Sequence, residues 1–449
     1  MKRFASVYNP ARMIPAINEY GYKFTVVNTV FAYVAAMVMT FAMTYFLKVK
    51  PVGMIVCVTV AIIFLPAVIT YSYRTMYEQR RFSDTCLYVE QLLYAYRNRG
   101  NIVDALEETE RVLPERSAMK ECVREAIEHI LYDYSDESVT KNGLEIIEKS
   151  YDSSKIRTAH AFIMRMEQVG GDMSAGVAIL QKDRAVWQKQ IVLFQKKCMT
   201  SKRNTVIAMI ITLCMCAFTP AIMQKSVQNI RIQENIVYQV SSVVLVILFL
   251  TIYVFLLKKM SFGMLEKKST LSEEEAFRLH KRVTEGKDDI GKKLAVSKLK
   301  RNIIKDFPIW FIDVSIRLQT NNVRVAIINS YDEAPNSIKP ALAELRDDLA
   351  FAPEEAWPYR KFMKDYEISE IGAAMGMLYS ISSGGGFEEK VQLEEILNRN
   401  VEIGSAAEEI YYEDLLGGMY GIFLVPALAG AGKMLIDMTL VLFAFLNFA

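Results

Sequence analysis

The chain has 449 residues, of which 52% are hydrophobic and 23% charged, a combination too apolar for an ordinary soluble protein and too charged for a bare bundle of spans. Its 53 basic residues are almost cancelled by 51 acidic ones, and a net charge of +2 gives no reason to expect nucleic acid as a partner. The six cysteines (Cys57, Cys86, Cys122, Cys198, Cys214, Cys216) are scattered and read as reduced thiols; Cys214 and Cys216 form a C-x-C pair with no other Cys or His beside it, so no metal site is expected there.

The N-terminus carries Lys2, Arg3 and Arg12 but no short apolar core followed by a small-residue cleavage site, so it reads as retained, with the first span acting as an uncleaved signal. A bilayer core about 30 Å thick needs about 20 apolar helical residues. Residues 24–47 and 51–73 meet that requirement and are separated only by Lys48, Val49 and Lys50, which predicts an antiparallel hairpin. Residues 205–224 and 237–257 form a second pair around a short polar loop with Lys225, Arg231 and Glu234. A fifth run, 415–432, ends at Lys433, and the tail 434–449 is apolar apart from Asp437, either a short sixth span or an extension lying at the interface. Near the span ends fifteen basic residues fall on the side of the N-terminus and of the two long hydrophilic blocks, against Lys48, Lys50, Lys225 and Arg231 on the other. That asymmetry predicts a cytoplasmic N-terminus and cytoplasmic blocks.

The first block, 74–204, reads as helical. Tyr88, Leu92 and Ala95 lie on one face, and Val89, Leu93 and Tyr96 widen it into a stripe that needs partners on two sides. The helix is expected to stop at Gly100, with Asn101 capping the next helix, Asp104 in its first turn, and Ala105 and Leu106 entering the core. The second block repeats this unit 221 residues later, with Asn321 in the place of Gly100 and Asn322 repeating the cap of Asn101. Further on, Gly170-Gly171-Asp172 in the first block and Gly384-Gly385-Gly386 in the second each end a helix. Each is followed, after a further charged helix, by an apolar span carrying a proline, Pro220 and Pro426. Three landmarks in one order point to an internal duplication. Between the copies, residues 258–305 are dense in Lys and Glu, and Ser272 with Glu275 forms a capping box. Most of that charge reads as a solvated helical face, with a basic surface touching anionic lipid as the alternative.

These landmarks resemble the F-domain family of membrane platform proteins in type II secretion and type IV pilus machines, most closely the Tad (Flp) pilus branch. The likeness runs from Leu87 through Leu93, over the Gly100 turn with Ala105-Leu106, then Gln168 to Asp172, to Lys202-Arg203 before the following span. The second copy departs at Asn321, has a longer glycine run and carries the charged segment in front. The resemblance implies an all-α, polytopic protein of the bacterial cytoplasmic (inner) membrane, with five transmembrane helices, a sixth if the tail crosses, and two cytoplasmic helical-bundle F-type repeats. It also implies an oligomeric platform that receives motion from a cytoplasmic secretion ATPase and passes it to pilin or pseudopilin subunits. The expected division is 1–73 for the N-terminal segment and first hairpin, 74–204 for the first F-type domain and 205–257 for the second hairpin. A charged helical linker then covers 258–305, the second, divergent F-type domain 306–414, and the C-terminal membrane region 415–449.

Chemistry-bearing motifs do not compete with that reading. Gly430-Ala431-Gly432-Lys433-Met434 is the nearest approach to a phosphate loop, but Ala427 stands where its first glycine belongs and Met434 where Ser or Thr would bind magnesium. A Gly-Ala-Gly stretch in a span reads instead as close helix packing. His129, His160 and His280 are far apart and read as ordinary helix residues, and Glu107-Glu108, Glu388-Glu389 and Glu394-Glu395 adjoin along helices as surface charge. The expectation is a protein that is not an enzyme and uses no cofactor. Pro66, Pro220 and Pro426 fall within apolar runs, where they set packing geometry or act as hinges. The competing class is a transport or export channel, against which the four clear spans count because they contain no ionisable residue.

Overall fold

The structure is a computed structural model that describes residues 9–132, 137–169, 174–226, 232–265, 271–286, 289–318, 321–384, 404–405, 409, 412–413, 416–417, 419 and 421–448. Every regular element among them is helical. In chain order they are α1 (Pro10–Glu19), α2 (Val26–Phe46), α3 (Pro51–Arg99), α4 (Ile102–Val112), α5 (Ala118–Tyr132), α6 (Glu137–Tyr151), α7 (Ser154–Val169) and α8 (Ser174–Ser226). There follow α9 (Ile236–Met260), α10 (Glu273–Thr284), α11 (Ile290–Arg317), α12 (Val323–Asn329), α13 (Lys339–Phe351), α14 (Trp357–Lys361), α15 (Ser369–Ser383) and α16 (Leu424–Phe448).

Five of the described helices, α2, α3, α8, α9 and α16, are long and apolar enough to cross a membrane. Their outer faces are what lipid requires. On α2, Val26, Val27, Phe31, Val34, Val38 and Phe41 are all exposed, an apolar surface that water would not tolerate on one helix. These helices mark the chain as a membrane protein. Two of them outrun the apolar segments that identify them: α3 is 49 residues long and α8 53, and each continues well beyond its apolar part without a break. Nothing in 74–99 or 177–204 interrupts a helix, since neither stretch contains Pro or Gly.

The chain divides into two compact units, the first made of Met1–Arg80, Leu193–Gly263 and Tyr412–Ala449, the second of Arg81–Val192 and Met264–Tyr411. Inside the first unit, Leu47, Val49, Cys57, Cys216, Leu245, Val246 and Phe249 form a buried cluster. A Cβ on Gly53 would come within 2.6 Å of Val49 and 2.9 Å of Val243, so glycine there permits close approach of α3 and α9. Helix α1 buries Met13 and Ile17 against Phe24, Leu65 and Ile69. The left-handed Gly21 (φ +79°) turns the chain toward α2, and Tyr73 meets Tyr22 and Phe24 edge-on.

The second unit is a helical bundle with a large aromatic and aliphatic core in its later half, where Phe307, Trp310 and Phe311 of α11 meet Tyr359, Phe362 and Tyr366. Residues 271–305 form charged helices that also contribute to that core. Leu271, Ala276, Val283, Ala295, Leu299 and Ile303 are all buried in that core, because apolar residues recur at helical spacing among the charges. Helix α7 packs on α11, so the two expected copies meet within this unit.

The tail, for which the sequence left two alternatives open, continues the preceding helix: α16 runs from Leu424 to Phe448 and carries both Lys433 and Asp437, and no separate span follows among the described residues. The charges sit one helical turn apart and neutralise each other, so neither ends the helix or forces it out of an apolar setting.

Candidate functional site

Two places gather the residues singled out by the sequence. The first is the pair of helix turns in the second unit. Gly100 is left-handed (φ +69°) and closes α3 by donating its N–H to Tyr96 O at 2.8 Å. An added Cβ there would meet nothing within 4 Å, so glycine is required by the backbone and not by crowding. Asn101 then caps α4, its Oδ1 accepting from Val103 N (2.8 Å) and Asp104 N (3.2 Å). The corresponding residues, each 221 positions on, make matching hydrogen bonds, although α11 itself ends earlier, at Arg317 with Leu318 as its cap. Asn321 N donates to Arg317 O at 3.0 Å, and its side-chain Nδ2 donates to the same oxygen at 3.2 Å. Asn322 Oδ1 accepts from Val325 N at 2.9 Å.

Burial follows the same register. Ile102, Ala105, Leu106 and Thr109 are buried on α4, and Val323, Ala326, Ile327 and Ser330 are buried at the matching places. A further correspondence lies in carboxylates that receive a serine hydroxyl from the start of the next long helix. Ser117 donates to Asp84 at 2.9 Å and Ser337 to Asp306 at 2.6 Å, both buried, with the serines 220 and the carboxylates 222 positions apart, one residue either side of the common offset. Each serine lies near a proline whose carbonyl accepts the first turn, Pro114 and Pro335, again 221 residues apart.

Gly170, Gly171, Asp172, Gly385 and Gly386 lie outside the described residues, between the end of α7 at Val169 and the start of α8 at Ser174, and beyond the end of α15 at Ser383. The last turns of α7 do reach the first turn described above. Glu167 Oε1 accepts from Ile102 N at 3.4 Å, and burial raises its pKa above the ordinary carboxylate value. Pro66 lies inside α3 and Pro220 inside α8. Pro426 stands in the first turn of α16, where a helix has no N–H partner to lose.

Sequence spacing did not reveal a charged knot where the copies meet. Arg317 donates to Asp313 at 2.6 Å and also to Glu333, and Arg165 of α7 feels all three charges. Burial lowers the Arg165 pKa, with the Arg317 charge adding to that, and burial raises Asp313 against the pull of Arg317. Within the knot only Asp313 and Arg317 are neighbours in the chain, at i, i+4 spacing, and that pair alone does not point to Arg165 or Glu333.

The second place is in the first unit. Lys433 Nζ donates to both carboxylate oxygens of Asp437, at 2.9 and 2.8 Å, with both side chains almost wholly buried (2% and 0% exposed). The ammonium also lies 3.9 Å from the centre of the Tyr238 ring. Tyr238 in turn donates its hydroxyl to Leu47 O at 2.9 Å. Its neighbour Gln239 ties the two short connections together, donating to Lys48 O and Gln233 O and accepting from Lys50 N. Lys48 there is left-handed (φ 51°), held by this frame. Gly430 brings α16 against α8: a Cβ at that position would overlap the Thr212 methyl, which fits the close-packing reading of Gly430-Ala431-Gly432.

Among the described residues no group of three His, Cys, Asp or Glu side chains is placed to hold a metal ion. His160 bridges the Tyr88 hydroxyl (2.7 Å) and Glu148 (2.8 Å), and His280 bridges Tyr366 (2.7 Å) and Glu344 (3.0 Å). Each is a buried histidine with both ring nitrogens engaged, an arrangement that orders a core. Comparison with protein-family models, with curated proteins and with solved structures finds no match to this chain.

Proposed function

We propose that this protein is a membrane platform of a type II secretion or Tad-type pilus assembly machine, coupling a cytoplasmic secretion ATPase to the extraction and assembly of pilin subunits. The observation that carries the reading is the pair of matching turns, Gly100-Asn101 and Asn321-Asn322, with the same hydrogen bonds and the same buried positions at one offset of 221 residues. Two such units look like a duplicated F-type domain. Helices shared between apolar spans and the second unit, as α3 and α8 are, suit a part that transmits motion without chemistry of its own. On this reading the N-terminus and the second unit are cytoplasmic, the membrane is the bacterial inner membrane, and the platform is an oligomer.

Co-purification tests it. The full chain, solubilised with the secretion ATPase encoded beside it, should retain that ATPase, and a chain lacking residues 74–204 should not. No retention by the full chain, or absence of such an ATPase and of small prepilins from the genetic neighbourhood, overturns the proposal.

One observation favours a second reading, a transport or export channel component: the buried Lys433–Asp437 pair, since ionisable residues within a span mark a path more often than a scaffold. Flux through liposomes carrying the purified chain separates the two, because a platform gives none.

A further inference from the structure

The apolar run of α8 begins at Thr205 and that of α9 ends at Leu257, and the two helices stay paired, antiparallel, just outside these points. The Phe194 ring meets Phe262 edge-on at 4.7 Å, and Lys202 Nζ lies 5.9 Å from the centre of the Tyr253 ring. These two contacts set Lys196 and Lys197 about level with Lys258 and Lys259, with Lys202 and Arg203 about 8 Å nearer the apolar run. Between Leu193 and Asn204, and between Leu257 and Gly263, these six cations stand without a single carboxylate. At the far end of the same two helices the charges are mixed in sign, Lys225 and Arg231 with Glu234.

The direction in which these cations lie is set by their helices. Ile207, Ile210 and Ile211 are exposed on α8, and Arg203, one turn below Ile207, and Lys196, two turns below Arg203, continue that lipid-facing stripe. On α9 the exposed Thr251 and Phe255 lead in the same way to Lys258 and Lys259. Lys258 is engaged within the chain, but Lys196, Lys197, Lys202, Arg203 and Lys259 make no ion pair among the described residues. Glu413, which follows the Tyr412 ring against Phe194, pairs with none of them. Exposed cations elsewhere are answered within the chain, as Arg99 is by Glu108 and Arg124 by Glu110. Five unanswered cations within about 10 Å of helix repel one another, and only an external anion relieves them. At the boundary of a span that anion is a lipid phosphate, and the headgroup layer, about 5–7 Å deep, takes in the level of Lys202 and Arg203.

We propose that the foot of the α8–α9 pair is a binding site for an anionic phospholipid, with Lys202, Arg203 and Lys259 meeting its phosphate and its acyl chains lying along the exposed isoleucines of α8. Phosphatidylcholine is excluded as the preferred occupant because its choline cation cancels its phosphate, whereas a lipid with net negative charge leaves the field of the five cations satisfied. α8 and α9 are themselves spans, so the bilayer reaches this site without any movement of the chain. The inference rests on the span ends of the first unit, and on neither the duplication nor the platform role.

The test titrates the full chain, purified in detergent and stripped of lipid, with phosphatidylglycerol or phosphatidylcholine, and counts the lipids retained by native mass spectrometry. The parent chain should hold phosphatidylglycerol at a concentration more than about tenfold lower than phosphatidylcholine, and high salt should narrow the gap. Lys202→Gln, Arg203→Gln and Lys259→Gln together should abolish the preference, since each cation lost weakens retention about fivefold. Lys189→Gln with Lys293→Gln, two exposed cations away from the span ends, should leave it unchanged. Unchanged helical content and gel-filtration profile show that each variant is folded. A phosphatidylglycerol preference that survives the triple substitution overturns the proposal. So does equal loss in the control variant, which would make the effect one of total charge, and so does competition by inorganic phosphate at the same concentration, which would assign the cations to a soluble anion. No ATPase is present in this experiment, so its outcome is separate from that of the co-purification.

Discussion

Replacing Asp437 by Leu leaves Lys433 in its buried position without the carboxylate that accepts two of its protons at 2.9 and 2.8 Å. The ammonium is 2% exposed, so water does not replace the lost partner, and its remaining neighbour is the Tyr238 ring already present at 3.9 Å in the intact protein. Breaking a buried pair by removing one member costs about 3–5 kcal/mol, whereas exchanging both for apolar residues of similar size is neutral or stabilising. At about 1.4 kcal/mol per factor of ten, Asp437→Leu should lower the folded-to-unfolded ratio by at least about a hundredfold. Lys433→Met combined with Asp437→Leu should return it to the parent value or above. Reversible unfolding in bicelles, measured for the parent, both single variants and the double variant, gives the coupling directly. The reasoning fails if Asp437→Leu alone lies within about 1 kcal/mol of the parent, because a buried pair cannot be that cheap to break. The same double variant reports on function. A scaffold should keep working with an apolar pair, and a conducting path lined by these groups should not.

Other perturbations address the rest of the structure. Asn101→Ala and Asn322→Ala should each cost about 1 kcal/mol by removing an N-cap, and their effects on the unfolding midpoint should add within about 0.5 kcal/mol if the two turns are separate. Gly430→Ala places a Cβ against the Thr212 methyl and should destabilise by about 1–3 kcal/mol, partly rescued by Thr212→Ser, which deletes that methyl; equal stability of Gly430→Ala and parent would falsify the close packing of α8 and α16. Burial holds the Asp313 pKa above its ordinary value of 3.8, so the folded state keeps this proton over a pH range in which the unfolded chain has lost it. Its contribution is therefore fully present below pH 3.8 and is lost as pH rises through the folded-state value. Asp313→Asn should flatten that part of a stability-against-pH curve, and an unchanged slope would show that another group sets it.

Much of the helical layout is legible in the sequence because its signals are local. Apolar length marks the spans, Gly100 marks a left-handed helix end, and Asn101 and Asn322 mark caps, all read from neighbours in the chain. What escapes is set by groups that compensate one another. A hydropathy run stops at Lys433, yet the helix does not, because helix propensity is indifferent to charge and Asp437 cancels the lysine one turn later. The dense charge of 258–305 likewise hides Leu271, Ala276, Val283 and Leu299, which are few but fall on one face and so enter the core. The Arg165–Arg317 approach joins residues 152 positions apart and left no mark in local pattern.

The two copies differ most in how they are joined to the spans, and on the platform reading that difference assigns them different work. α3 and α8 both pass from apolar span to second unit as unbroken helices, with no Pro or Gly in 74–99 or 177–204. A continuous helix transmits a displacement along its axis, since bending it means breaking several backbone hydrogen bonds at once. The second copy has no such link at its start: α11 begins afresh at Asp289, after the separate helix α10 and the chain that follows α9. The first copy is therefore the one suited to move the spans, and the second to brace it through the packing of α7 on α11 and the Arg165, Asp313, Arg317 and Glu333 knot. Inserting two glycines after Arg80 should then abolish filament output while leaving the protein folded and able to retain the ATPase, and the same insertion after Thr284 should leave output intact. Equal loss at both places would mean that motion does not enter through α3.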